Sequence, residues 1–187
     1  MSEIKLIFVR HGEAESAYGE HNDPALSIKG ISQSKNLLKN SKLQNLEKFK
    51  FISSPKLRAF KTAEPLAKKS NEKILVDDNF IEIPAEDIPL NKKPSWLKGI
   101  VETKKTSLPE SIELWRSSIL QRTRDIQNDS IIFTHFMVMN ALMSELIQAE
   151  KLLCFYPDYT SIIEINVKNK KIKSFSNESN KKTYINL

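Results

Sequence analysis

The sequence predicts an α/β domain, a three-layer sandwich in which a mainly parallel central sheet carries helices on both faces. Three observations point there. Short runs of β-branched and aromatic residues alternate with longer stretches of helical periodicity, the layout of βαβ units. The runs at residues 4–9 and 130–133 are almost continuously apolar rather than alternating, as in strands covered on both faces. The strand runs also end abruptly on polar residues: Arg10-His11-Gly12, Ser53-Ser54-Pro55 and Thr134-His135. Open α/β sheets place their ligands at such strand ends.

Residues 4–10 form the first strand, and 13–26 a polar loop or short helix with turn chemistry at Asn22-Asp23-Pro24. Ser27 stands as an N-cap, and Ile28, Ile31, Leu37 and Leu38 give the helix after it an apolar face up to Asn40-Ser41. A second strand at 49–53 precedes an amphipathic helix from about 56 to 69 that carries Leu57, Phe60, Ala63, Leu66 and Ala67. Pro65 is expected to kink or interrupt that helix. A third strand covers 74–77, and Pro84, Pro89 and Pro94 keep 78–94 irregular. Helices come next at about 95–105 and 110–127, then a fourth strand at 130–134 and an apolar helix at 136–149. Residues 161–167 and 171–175 alternate as a hairpin turning at Asn169-Lys170. With no repeat, linker or shift in composition, residues 1–187 read as a single domain. Residues 78–128 read as an insertion lying over the strand ends.

Composition excludes several classes. Hydrophobic residues at 40% and charged residues at 28% are ordinary for a globular chain. No run approaches the roughly 18 consecutive apolar residues of a membrane span. Met1-Ser2-Glu3 begins neither a basic n-region nor the apolar core of a secretory signal. Cys154 stands alone, which leaves no internal disulfide and suits a reducing compartment, so a cytoplasmic protein is expected. The net charge of +6 favours anionic partners. Its lysines are nevertheless dispersed, densest at Lys168, Lys170, Lys171, Lys173, Lys181 and Lys182, without the interleaved aromatics of a nucleic-acid surface. Neither a nucleic acid nor a membrane is expected as a partner, and the oligomeric state stays open, a dimer included.

The chemistry concentrates at the strand ends. Of the three histidines, His11 and His135 each come directly after a buried strand run. One histidine so placed reads as structural, whereas two at the ends of separate strands read as parts of one site. Arg10 precedes the first, and Arg58 falls in the opening turn of the helix after the second strand. The macrodipole disfavours a cation there unless an anion is bound, since helix N-termini attract phosphate. Viewed alone, Arg58 reads equally as a solvated surface arginine. Taken together, two forked, permanently charged donors and a neutral imidazole nucleophile suit phosphoryl transfer. Metal ligation is the competing use of histidine, but no His-x-x-x-His or Glu-x-x-His pairing surrounds His11 or His135. Neither a metal nor another cofactor is expected.

These residues resemble the histidine phosphatase superfamily, in its phosphoglycerate-mutase-like branch, through four segments in order. Phe8-Val9-Arg10-His11-Gly12-Glu13 resembles the signature, and Asp23-Pro24-Ala25-Leu26-Ser27-Ile28-Lys29-Gly30 the entry into the first long helix. Ser53-Ser54-Pro55-Lys56-Leu57-Arg58-Ala59-Phe60-Lys61-Thr62-Ala63 is similar to the family's Ser-Ser-Pro-x-x-Arg-Ala-x-x-Thr-Ala. Ile131-Ile132-Phe133-Thr134-His135 resembles the late strand carrying the second histidine. The resemblance implies the fold of that branch and a metal-independent phosphatase acting on a small phosphomonoester. His11 would attack phosphorus and carry it as phosphohistidine, while Arg10, Arg58 and a protonated His135 would hold the phosphoryl oxygens. Glu82 stands where the family's proton donor is expected, with Glu86 and Asp87 as the other carboxylates of that loop. The alternative for Glu82 is a solvated loop carboxylate.

Glu13, Ser16 and His21 are candidates for lining a substrate pocket, although His21 also reads as a surface loop residue. Trp96, Trp115, Met137, Met139 and Met143 read as packing, and Cys154, with no basic neighbour in sequence, as non-catalytic. The chain departs from mutases in carrying Ala17 where their pattern has asparagine, and Phe136 where glycine comes after the second histidine. It also lacks the aromatic-acidic-glycine stretch after the donor and is shorter. These departures point to hydrolysis. The alternatives are a phosphoglycerate-type mutase, a phosphohistidine protein phosphatase, and a catalytically weak relative that binds phosphorylated ligands or partners.

Overall fold

The computed structural model describes residues 3–177. Six strands, β1 (Ile4–Arg10), β2 (Lys50–Ser53), β3 (Ile74–Val76), β4 (Ser130–Thr134), β5 (Ile162–Lys168) and β6 (Lys171–Asn177), form one sheet in the order β3-β2-β4-β1-β5-β6. The pairs β1–β4, β2–β4 and β2–β3 are parallel, while β5 runs antiparallel to both β1 and β6. Helices α1 (Ile28–Asn36), α2 (Leu57–Ser70), α3 (Lys93–Glu102), α4 (Glu110–Asp125) and α5 (Phe136–Leu146) complete the expected α/β sandwich. Among the described residues, no helix is long and apolar enough to cross a membrane. Lys181 and Lys182 lie outside the described residues.

Side-chain alternation along β1 explains its unbroken apolar run. Ile7 and Val9 enter one core cluster with Phe51, Phe133 and the α2 residues Ala63, Leu66 and Ala67. Leu6 and Phe8 enter the other, with Leu97 of α3, Ile112, Trp115 and Ile119 of α4, and Met139 and Leu142 of α5. Both faces are therefore dry from Leu6 to Val9, and the earlier polar side chain, Lys5, lies partly exposed near the strand start. The register pairs Arg10 with Thr134 and Ser53 with Phe133, so the C-terminal ends of β1, β2 and β4 lie side by side. The residues just beyond them emerge together at one edge. The β5–β6 hairpin turns at Asn169 and Lys170, both at positive φ (52° and 59°), as a tight two-residue turn requires.

The inward face of α1 differs from expectation. Ile28 is 91% exposed and Ile31 46%, and the buried positions are instead Gly30 and Ser34, with Leu37 in the 3-10 turn Leu37–Lys39. The cause is a main-chain approach. A Cβ on Gly30 would lie 2.0 Å from the Glu13 carbonyl oxygen, and one on Gly12 2.7 Å from the Gly30 oxygen. The helix presses its backbone onto the loop after β1, and this contact turns both isoleucines outward. Alanine in place of glycine ordinarily stabilises a helix by up to about 1 kcal/mol. At Gly30 the sign is expected to reverse, with a loss of about 1–3 kcal/mol from overpacking. At Gly99 of α3, where a Cβ meets nothing within 4 Å, the ordinary gain is expected. Urea unfolding of the two alanine variants beside the parent measures both signs.

Pro65 does not end α2, which continues to Ser70 and closes on Asn71 in the left-handed region (φ 53°). Packing of Ala63, Leu66 and Ala67 against the sheet holds the turns around it. Between residues 78 and 128, the contribution to the cavity at the strand ends stops at Leu97. Beyond it, α4 belongs to the layer over the sheet, burying Ile112, Trp115, Ile119 and Leu120.

Candidate active site

Arg10 ends β1 and is clamped by residues 157–161. Its backbone N–H donates to Ser161 O (3.0 Å), and its carbonyl accepts from Thr160 N (3.1 Å). The guanidinium donates through Nη1 to Pro157 O at 2.7 Å and lies 4.1 Å from the Tyr159 ring centroid and 5.0 Å from that of Phe136. Its Nε is buried with no hydrogen-bond partner. Burial lowers its pKa to about 10, so it stays a cation at neutral pH.

His11 continues the β1–β4 ladder by one bond, its N–H donating to Thr134 O at 2.9 Å. Its Nδ1 lies 2.7 Å from Gly12 O. A carbonyl can only accept, so Nδ1 carries the ring hydrogen and Nε2 the lone pair. Arg58 Nε donates to that lone pair at 3.2 Å. Burial first, then Arg58 and Arg10, hold the His11 pKa well below the ordinary histidine range, so the ring is neutral at physiological pH.

Arg58 sits in the first turn of α2, as expected, and the helix start is capped from a distance. Lys56 at the N-cap makes no side-chain cap, whereas the Asp23 carboxylate accepts from Leu57 N at 3.0 and 3.3 Å. The same carboxylate lies 3.7 Å from Arg58 Nη1. One turn on, Thr62 Oγ1 donates to Arg58 O (2.7 Å) and accepts from Gly12 N (3.0 Å), tying α2 to the His11 loop.

His135 is fully buried, 5.2 Å from His11 between ring centroids, and contributes nothing to the cavity surface. Its Nε2 lies 2.7 Å from Ser54 Oγ, which also accepts from Lys56 N at 3.3 Å. Its Nδ1 is buried with no protein hydrogen-bond partner. Burial, then Arg58, hold its pKa well below the ordinary range, and no carboxylate offsets them.

Glu82 is half-buried in the cavity wall, on a loop pinned by two buried donors. Thr134 Oγ1 donates to Phe80 O (2.8 Å) and Trp115 Nε1 to Ile81 O (3.0 Å), so Trp115 does more than pack. The carboxylate accepts from Ile83 N at 2.9 Å, and the Met137 backbone at the start of α5 also favours its charged form. Burial raises its pKa; the two backbone groups, Arg58 and Arg10 oppose this without cancelling it.

Arg10, His11, Arg58 and Glu82 thus face one cavity of about 430 Å³, with His135 packed behind. Glu13, Ser16 and His21 also line it. The Glu13 carboxylate is engaged by Ser27 Oγ (2.9 Å) and Lys29 Nζ (2.8 Å), Lys29 lowers its pKa, and the group serves the start of α1. His21 is exposed and accepts from Asp23 N through Nδ1 at 3.0 Å. Glu86 reaches the cavity from an exposed position, and Asp87 is exposed and does not line it. Sequence reasoning missed Asp23, Ser54 and Thr62 as individuals, although each lies inside a segment that resembles the family. It also missed Tyr18 and Tyr159, which had no local signal. Among the described residues, no group of three His, Cys, Asp or Glu side chains could hold a metal ion.

Known proteins share both the sequence and the fold that build this site. Residues 6–99 match the family model of the histidine phosphatase superfamily, branch 1. Phosphoserine phosphatase 1 of Hydrogenobacter thermophilus is 31% identical over 116 residues, which cover 60% of this chain and 50% of that protein. The chain spans about half the length of that relative. A phosphoserine phosphatase of Entamoeba histolytica, solved with 3-phosphoglyceric acid, superposes with a TM-score of 0.69 at 21% identity, covering 95% of this chain and 98% of that one. The alpha-ribazole phosphatase of Shigella flexneri superposes with a TM-score of 0.69 at 19% identity, covering 90% and 93%. A mycobacterial glucosyl-3-phosphoglycerate phosphatase, solved with VO3, gives 0.69 at 17% identity over 94% and 97%. The family match spans half of the chain and contains Arg10, His11, Arg58 and Glu82, while the solved relatives carry the fold across nearly all of it. The chain belongs to the histidine phosphatase superfamily, branch 1.

Proposed function

We propose that this protein hydrolyses a small phosphomonoester through a phosphohistidine on His11, without a metal. The observation that carries the reading is the His11 ring: neutral, with its hydrogen committed to Gly12 O and its Nε2 lone pair beside Arg58. In the first step Nε2 attacks phosphorus and the bond to the leaving oxygen breaks, while protonated Glu82 gives that oxygen its proton. In the second, the Glu82 carboxylate takes a proton from water, whose oxygen attacks phosphorus. The bond to Nε2 breaks, and orthophosphate leaves. Arg10 and Arg58, which face the cavity, are the donors for the phosphoryl oxygens, and His135, buried beside His11 with Nδ1 unpartnered, is assigned with them as the family resemblance implies. Arg10 Nε and His135 Nδ1, both buried without partners, support this assignment because such groups are costly unless a ligand satisfies them. The cavity volume suits a small molecule. The names of the relatives favour phosphorylated three-carbon acids as the first substrates to test, phosphoserine and 3-phosphoglycerate among them.

The test is a quench experiment. The protein is mixed with labelled phosphoserine or 3-phosphoglycerate, with and without a chelator, and the quenched chain is assayed for acid-labile, base-stable phosphate. Label on His11 and turnover that survives the chelator are expected. Turnover without a phosphoenzyme, or turnover abolished by chelation, would overturn the mechanism. Discharge confined to a hydroxy-acid acceptor would make the protein a mutase.

A further inference from the structure

The loop after His11 carries a tyrosine that the proposed reaction leaves unused. Tyr18 lines the same cavity, and its ring packs on the cluster formed with α3, α4 and α5. Its hydroxyl oxygen is enclosed and has no hydrogen-bond partner. The ring is held in place by the turn at Gly19. That glycine adopts φ +97°, and a Cβ there would lie 2.8 Å from both Leu90 O and Pro94 Cδ, so the turn is pressed onto the segment leading into α3. The hydroxyl is therefore placed rather than free to seek solvent, and an unsatisfied buried hydroxyl is destabilising.

Its electrostatic surroundings locate it in the site. Glu82, Arg58 and Glu86 line the cavity with it. Arg58 marks the phosphoryl end and Glu82 the leaving oxygen, and Tyr18 shares the cavity wall with both. Burial and the nearby carboxylate of Glu82 push its pKa up, so it remains a donor throughout the physiological range. The neighbouring Ala17 offers no polar side chain, and Ile83 and Leu97 make the adjoining wall apolar.

We propose that the Tyr18 hydroxyl is a specificity-determining substrate contact, selecting phosphomonoesters whose leaving alcohol carries a hydrogen-bond acceptor close to the ester oxygen. This rests on the reading that ester hydrolysis occurs in this cavity. A site built to hydrogen-bond a substrate group discriminates against analogues lacking it, because its own donor is then left unpaired.

3-Phosphoglycerate and n-propyl phosphate share a three-carbon chain and differ in the acceptors next to the ester, so they form the probe pair. Tyr18→Phe is expected to lower kcat/KM for 3-phosphoglycerate by about 10- to 100-fold and to leave n-propyl phosphate within about twofold. Equal losses on both esters would overturn the proposal, since Tyr18 would then act through Glu82 or the fold. No loss on either would overturn it as well. Calorimetric binding of both esters to His11→Ala, with and without Tyr18→Phe, asks the same question without turnover. Preference for 3-phosphoglycerate that disappears with the hydroxyl supports the contact even if hydrolysis is never seen. Equal affinity with and without the hydroxyl sinks it.

Discussion

His11→Ala is expected to abolish turnover, by about 10⁵-fold or more, while the protein still binds orthophosphate. Loss of a nucleophile removes the covalent route rather than weakening it, and partial losses of this kind do not add to others in the same unit. Binding persists because the cations lie on other supports. Arg10 is clamped by Pro157, Tyr159 and Phe136, and Arg58 is positioned by Asp23 and Thr62. The Arg58 Nε, which donates to His11 Nε2 in the free site, is released for the anion. Steady-state rates and phosphate binding by calorimetry check the two halves separately. A variant that keeps a phosphoenzyme, or keeps more than a trace of the rate, rules out His11 as the nucleophile.

Glu82→Gln is expected to cut kcat/KM for alkyl phosphates by about 10²–10⁴-fold, the usual worth of a positioned proton donor. The amide keeps an acceptor for the Ile83 N–H, so the loop geometry survives and the missing proton is what is measured. The loss is expected to shrink for p-nitrophenyl phosphate, whose leaving oxygen needs little protonation. The pH profile carries the sign. Phosphoryl transfer to His11 needs His11 neutral and Glu82 protonated. The His11 pKa is depressed, so that requirement is met well into acid, and the Glu82 pKa is raised, so the proton is retained to higher pH than for an ordinary glutamate. As pH rises through the Glu82 pKa the donor is lost and kcat/KM falls. That alkaline limb is expected to vanish in Glu82→Gln. A limb that persists unchanged would assign the titration to another group, with Glu86, exposed at the cavity edge, the first to replace.

Much of this was legible in one dimension. The apolar runs of β1 and β4 and the polar residues that end them are local properties of the chain, because the middle of a strand buried on both faces favours apolar side chains. His11, His135 and Arg58 could be singled out for the same reason: each comes after a strand or opens a helix at a place readable from its neighbours in sequence. Glu82 was reached through resemblance, since its proline-rich surroundings give no periodicity. The inward face of α1 was misread because hydrophobicity predicts a helix's buried side only where side chains make the contact. Here two glycine backbones make it, and Ile28 and Ile31 are left outside.

By itself, then, the sequence determined the layered fold, the strand ends that carry the chemistry and the residue types gathered there. Tertiary structure alone decided the state of those residues. Gly12 O selects the ring tautomer of His11, Ser54 Oγ holds His135 Nε2, burial and Arg58 keep both rings neutral, Asp23 caps a helix 34 positions away, and residues 157–161 clamp Arg10. The reason is physical. Strand and helix formation arise from short-range patterning, whereas hydrogen-bond partners and desolvation are set by whichever distant segments the fold brings within a few ångströms.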